Sequence, residues 1–334
     1  MKVLVTGAAG YVGCVLVPKL LEAGHEVVGY DVMYYGAEGL APHPALRVVA
    51  GDLRDARAFA EAVKGCDAVI HLACISNDPS FELDPALGKS INFDCFEPMV
   101  RASQAAGVGR FIYASSSSVY GVSEAPNVDE THPLKPLTDY SKFKALCEEA
   151  LARLRKPGFA ATVIRPATVC GYSPRTRLDL SVNILTNLAV NKRRITVFGG
   201  SQKRPNIHID DISDLYVLLL ALPAEKVDGR TWNAGYQNYS IADLARMVKA
   251  VVEDEMPEKA PIEIATSPTD DLRSYHVSSD KIARDIGFRP RRTVEDAIRD
   301  LCRAFKAGKL PGSLDDPRYF NVKRMKAPPA APPV

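Results

Sequence analysis

The first thirty-one residues, MKVLVTGAAGYVGCVLVPKLLEAGHEVVGYD, constrain this chain more than any other stretch. Lys2 to Thr6 is a β-branched apolar run of strand length, ended by Gly7, and from Gly10 onward Val12, Val15, Leu16, Leu20 and Leu21 recur at helical spacing. Gly24 closes that helix, Glu26 to Tyr30 forms a second apolar run, and Asp31 stands at its end. The pattern predicts a βαβ unit whose first turn carries Gly7, Gly10 and Gly13. Glycines let the backbone turn tightly and approach a pyrophosphate, whose charge is held by the free N–H groups and dipole of the following helix. Asp31 would accept hydrogen bonds from ribose hydroxyls and repel a 2′-phosphate. The unit therefore predicts a dinucleotide site that favours NAD over NADP.

Strand and helix continue to alternate. Short strands are expected near 47–49, 68–72 and 111–114, with helices near 56–63 and 93–106, which implies a doubly wound parallel sheet. Gly51-Asp52-Leu53 follows the third strand and would lie over the adenine end, with Asp52 or Asp55 capping the next helix. Leu72 and Ala73 end the fourth strand, where a small residue lets backbone pass close to the cofactor. His71, at the end of a buried strand, reads as a hydrogen-bonded structural histidine and not a catalytic one.

The next strand runs into Ser115-Ser116-Ser117-Ser118-Val119-Tyr120-Gly121, placing hydroxyls at the carboxyl edge of the sheet, where ligands bind. Twenty residues on, Thr138 or Asp139 caps a helix carrying Tyr140 and Lys144 at i and i+4, on one face. A phenol of pKa about 10 is a poor base near neutrality, and a nearby ammonium together with the positive nicotinamide favours its phenolate. A shift of three units requires only about 4 kcal/mol. Tyr140 is thus expected as general acid/base, with a serine hydroxyl on the same substrate oxygen.

Composition removes other classes. Lys+Arg 42 against Asp+Glu 40 leaves a net +2 with no basic block, so nucleic-acid binding has no electrostatic basis. The seven cysteines contain no CxxC, which suggests neither a disulfide framework nor a zinc site. No charged leader with an apolar core opens the chain and no run approaches eighteen apolar residues, so a cytoplasmic protein without membrane spans is expected.

Taken together, TGAAGYVG, HLA, SSSSVYG, YSKFK and RPATVCG resemble the extended short-chain dehydrogenase/reductases, the NAD-dependent nucleotide-sugar epimerase/dehydratase family, over residues 1 to about 305. The resemblance implies an α/β fold: a Rossmann-type doubly wound parallel sheet with a smaller mixed α/β C-terminal substrate domain. It implies a catalytic Ser116, four before the tyrosine of VYG, with Tyr140 and Lys144. It also implies cofactor contacts at Gly7, Gly10, Tyr11, Val12, Gly13, Asp31, Asp52, Leu53, Leu72, Ala73, Ser115 and Pro166, and an Asn92 that fixes the active-site helix. Substrate contacts fall on Ser76, Ser117, Ser118, Thr168, Asn183 and Val197. Arg204, in QKRPNIHIDD, and Arg273 are the candidates for a substrate diphosphate, since a guanidinium pairs bidentately with phosphate oxygens. Cys74 departs from the alanine or glycine that often follows HLA.

The expected division is 1–170 plus 203–234 for the NAD domain and 171–202 plus 235–325 for the substrate domain. The proline-rich end, 326–334, reads as a linker-like or disordered tail. The family implies epimerisation of a nucleotide-diphosphate sugar through a 4-keto intermediate, NAD as cofactor and a homodimer. Dehydratases of the family place an acid just after the catalytic serine or threonine, where this chain has Ser117 and Ser118. A dehydrogenase or reductase of a sugar or small alcohol would use the same Ser116, Tyr140 and Lys144 and is the competing expectation.

Overall fold

The computed structural model describes all residues except 124, 126, 270–273, 275 and 328–334. Its strands are β1 Lys2–Thr6, β2 Glu26–Asp31, β3 Leu46–Ala50, β4 Ala68–His71, β5 Arg110–Ala114, β6 Ala160–Pro166, β7 Thr168–Cys170, β8 Arg194–Phe198, β9 Lys203–His208, β10 Thr231–Ala234, β11 Gln237–Ser240 and β12 Glu263–Ser267. Seven of them form one sheet in the order β10-β6-β5-β4-β1-β2-β3, and every pairing in it is parallel. Helices cover both faces, so β1, β4 and β5 are buried along almost their whole length, as parallel strands require. Leu16, Leu20, Leu215, Leu219 and Trp232 fill one side; Phe59, Phe96, Phe111 and Phe159 fill the other.

The strand order reverses beside β1, which lies between β2 and β4. Chains leaving β1 and β4 in opposite directions open a crevice at their carboxyl ends, and that crevice is where a doubly wound sheet takes its ligand. Thr6 and His71 are register partners at its floor.

The smaller body holds a three-stranded sheet, β11-β9-β7, and a parallel pair, β12-β8. Helices Ser181–Lys192, Ile241–Glu255 and Val294–Lys306 pack there around Val182, Leu185, Leu244, Val248 and Ile298. Packing differs from the expected division: β7 and β9, expected with the NAD domain, pair in the three-stranded sheet with β11, and one helix does the reverse. The helix Asp280–Ile286, within the 235–325 segment expected in the substrate domain, lies against β10, with Ile282 in the core of the larger body and Trp232 Nε1 donating to Asp285 at 2.8 Å. A second departure is local: the helix expected from Phe93 begins with a π turn, Ser90–Asp94, before Phe96–Ala105.

Candidate active site

Glycine is required at the first turn by space. Gly7 has φ +73°, and a Cβ there would sit 2.8 Å from Ala73 N; at Gly13 it would sit 2.3 Å from Gly7 O. The turn is thereby pressed against the Ala73 backbone at the end of β4. Asp31 accepts from Ala9 N at 3.1 Å and Met33 N at 2.8 Å, which fixes the carboxylate at the rim of the crevice. Burial raises its pKa, opposed by those two N–H groups and the Arg175 charge. Asp55 and not Asp52 caps the following helix, accepting from Arg57 N and Ala58 N. Asp52 instead pairs with Arg54, whose hydrogen bonds lower its pKa, and offers its carbonyl to Tyr30 Oη at 2.9 Å.

These groups belong to one cleft of about 610 Å³. All the cofactor residues expected from the sequence line it except Asn92. Asn92 instead accepts from Ile75 N at 2.8 Å and donates to Ile75 O at 3.0 Å, while its own carbonyl accepts from Cys147 Sγ. It ties the loop after β4 to the Tyr140 helix. His71 is structural, its Nδ1 2.7 Å from Thr6 Oγ1 and its ring stacked on Tyr113; burial pushes its pKa down to about 3.

The residues expected to be catalytic come from two elements. Ser116 caps a single 3₁₀ turn, Ser117–Tyr120, and its Oγ accepts from Ser118 N at 3.1 Å and Ser118 Oγ at 2.9 Å. Thr138 caps the helix Asp139–Arg153 through a reciprocal exchange with Ser141, so Tyr140 stands in the first turn with Lys144 one turn behind it. Lys144 is buried and donates to Ala114 O at 2.7 Å. Its Nζ lies 5.9 Å from the Tyr140 ring centre and 5.0 Å from that of Tyr113.

The protein's own groups do not produce the expected depression of the Tyr140 pKa. The residue is partly exposed along the cleft, yet desolvation of its phenol dominates and pushes the pKa well above 10; Cys74 and Asp78 add to this, while Arg177 and a hydrogen bond from Ser116 oppose it. The lysine alone does not offset burial. Beneath these residues runs a buried polar chain: Ser115 Oγ donates to Glu148 at 2.5 Å, Arg165 pairs with Glu148 at 2.6 Å and donates to Tyr120 Oη, and Tyr120 Oη donates to Asn233.

Ser76, Ser117, Ser118 and Thr168 line the same cleft. Arg204 lines an adjoining pocket of about 230 Å³ together with Ser118, Thr168 and Asp179, and its Nη1 donates to Lys203 O. Two expected substrate residues are elsewhere. Val197 is packed in the core of the smaller body, because alternate residues of β8 point inward. Asn183 is wholly buried and clamps a loop to the glycine turn, donating to Tyr11 Oη and Arg177 O and accepting from Gly171 N. Arg273 lies outside the described residues.

Sequence reasoning missed Asp78, Arg175, Arg177 and Asn321, all of which line the cleft. Asp78 accepts from Thr138 Oγ1 at 2.6 Å and thus brings a carboxylate to the Tyr140 helix that no residue near the serines announced. Arg175 and Arg177, two apart just after RPATVCG, were the available signal for a charged wall.

A glycine turn, Asp31 at its rim and a Ser-Tyr-Lys set lie in one crevice, the arrangement of the short-chain dehydrogenase/reductase class. A model of the family described as "NAD dependent epimerase/dehydratase family" matches residues 3–235, and the chain belongs to that family. It is 26% identical to a UDP-glucose 4-epimerase of Lactobacillus helveticus over 89% of this chain and 95% of that protein. A 3-beta-hydroxysteroid dehydrogenase of Mycolicibacterium neoaurum is 31% identical over 65% of this chain and 60% of its own length. Among solved structures, the UDP-glucose 4-epimerase of Thermus thermophilus in complex with NAD superposes with a TM-score of 0.80 at 25% identity, covering 92% of this chain and 99% of that one.

Proposed function

We propose that this enzyme interconverts epimers of a nucleotide-diphosphate sugar through a 4-keto intermediate. The observation that carries the reading is the convergence of Ser116, Tyr140 and Lys144 on the crevice that holds the glycine turn and Asp31, with Arg204 beside it. NAD fits this chain's residues: the close-packed glycines leave room for a pyrophosphate, and both oxygens of Asp31 are already oriented by backbone N–H groups. When bound, NAD supplies a hydride acceptor that becomes the donor in the return half-reaction. Tyr140 takes the proton of the sugar hydroxyl and gives it back, and Ser116 hydrogen-bonds the same oxygen. Lys144, anchored on Ala114 O, holds a positive charge under both tyrosine rings and opposes the burial that keeps Tyr140 protonated.

Dehydration needs a base for the C5 proton and an acid for the departing hydroxyl. Ser117 and Ser118 supply neither, and Asp78, the carboxylate nearest in function, is bound to Thr138 of the helix cap. Net oxidation of an alcohol is the second reading, supported by the 31% identity to a hydroxysteroid dehydrogenase. Incubation with UDP-, GDP-, CDP- and dTDP-sugars followed by NMR decides among them: interconverted epimers are expected. A 4-keto-6-deoxy product overturns the reading, and stoichiometric NADH selects the dehydrogenase.

A further inference from the structure

Two buried guanidiniums stand in the cleft, and only Arg177 is paired directly with a carboxylate, Asp179. Arg175 and Arg177 are each more than nine-tenths buried. Arg177 pairs with Asp179 through Nε at 3.0 Å and donates from Nη1 to Ser76 Oγ, but its buried Nη2 has no hydrogen-bond partner among the described residues. Arg175 lies 3.6 Å over the Tyr35 ring and donates from Nη2 to the neutral amide of Asn321, and its buried Nε likewise has no partner among the described residues. Burial lowers the Arg175 pKa to about 10. A buried cation whose N–H groups are unsatisfied is costly, so two of them with unpartnered N–H groups in one cleft are complementary to an anion.

The location narrows the anion. Ser173 Oγ donates to Tyr11 O at 2.8 Å, which lays the segment carrying both arginines over the start of the helix Gly13–Glu22, where backbone N–H groups and the glycine turn already gather. A helix N-terminus and two guanidinium forks together suit two adjacent phosphates. A helix far along the chain completes the arrangement. Asn321, which opens the helix Asn321–Lys326, accepts from Arg175, donates from its backbone N to Asp179 at 3.0 Å and from Nδ2 to Ser76 Oγ at 3.1 Å. Arg324 donates to Tyr34 O at 2.9 Å and Tyr34 Oη donates back to Arg324 O, fastening that helix over the loop after β2.

We propose that Arg175 and Arg177 form a diphosphate site, held in place by Asn321, and that the diphosphate it takes is that of the dinucleotide. The sugar nucleotide carries the same group, so the test separates the two. It does not depend on the epimerase reading, since no turnover is measured. Calorimetric titrations of ADP-ribose, adenosine, UDP and uridine are run against the intact protein and its Arg175→Gln, Arg177→Gln and Asn321→Ala variants. Each arginine variant should lose about tenfold or more in affinity for ADP-ribose with adenosine unaffected, and Asn321→Ala should lose less. Loss confined to UDP keeps the diphosphate site and reassigns it to the substrate. Unchanged affinity for both diphosphates in folded variants overturns it. Should the variants not fold, the Arg175 Nε–H resonance of the unmodified protein serves: it should shift with ADP-ribose and not with adenosine, and a silent resonance overturns the assignment.

Discussion

Lys144 Nζ lies 5.9 Å from the centre of the Tyr140 ring while donating at 2.7 Å to Ala114 O. The pair therefore communicates through its field and not through a hydrogen bond, and the strand end fixes the distance. Burial pushes the phenol well above its ordinary pKa and Arg177 opposes that, so a further positive charge beside the ring favours the phenolate still more.

Tyr140→Phe should reduce turnover by at least about a hundredfold while leaving NAD binding intact, as expected for a lost general acid/base. The wild-type minus Tyr140→Phe difference in phenolate absorbance should emerge at lower pH with NAD than without it. Near wild-type turnover, or an absorbance onset indifferent to NAD, would remove Tyr140 from this role.

Asp31→Ala should weaken NAD binding and narrow its advantage over NADP, because ribose hydrogen bonds and charge repulsion vanish together. Parallel titrations of the two cofactors measure this. A wild type that prefers NADP contradicts the ribose assignment.

His71 makes stability depend on pH. Its folded pKa of about 3 lies below the unfolded value of about 6.5, so the unfolded chain binds the extra proton and stability falls as pH drops from 6.5 towards 3. The total is on the order of 5 kcal/mol. Denaturation free energies between pH 7 and 4 should show a flatter slope in His71→Asn, and equal slopes would exclude the histidine as the source.

Arg204→Ala should weaken nucleoside-diphosphate binding more than NAD binding, by roughly 1.5–3 kcal/mol for a lost charge-assisted contact. An unchanged dissociation constant for UDP assigns Arg204 to the wall of its pocket without a ligand role.

Most of the crevice was legible because its parts lie within short segments whose spacing reports their geometry: Gly7 to Asp31 spans one βαβ unit, and Tyr140 and Lys144 one helical turn. Asn183 and Val197 lie away from the cleft surface because facing depends on which side of an element meets the core, and the family resemblance that suggested them carries no facing. Asn321 was out of reach for another reason. It meets Ser76 across 245 positions and Asp179 across 142, and neither polar residue carries a mark of its partner. The burial that inverts the expected Tyr140 pKa likewise belongs to the assembled cleft and to no single stretch.

The Glu148–Arg165 pair has a mechanical meaning. Glu148 rides on the helix that presents Tyr140, and Arg165 immediately precedes Pro166, so the 2.6 Å contact rivets that helix to the strand that ends at the cleft-lining Pro166. The facing wall is tied across the chain instead: Arg177 pairs with Asp179, and Asp179 accepts from the backbone N of Asn321, so a segment 142 positions away closes that side of the cleft.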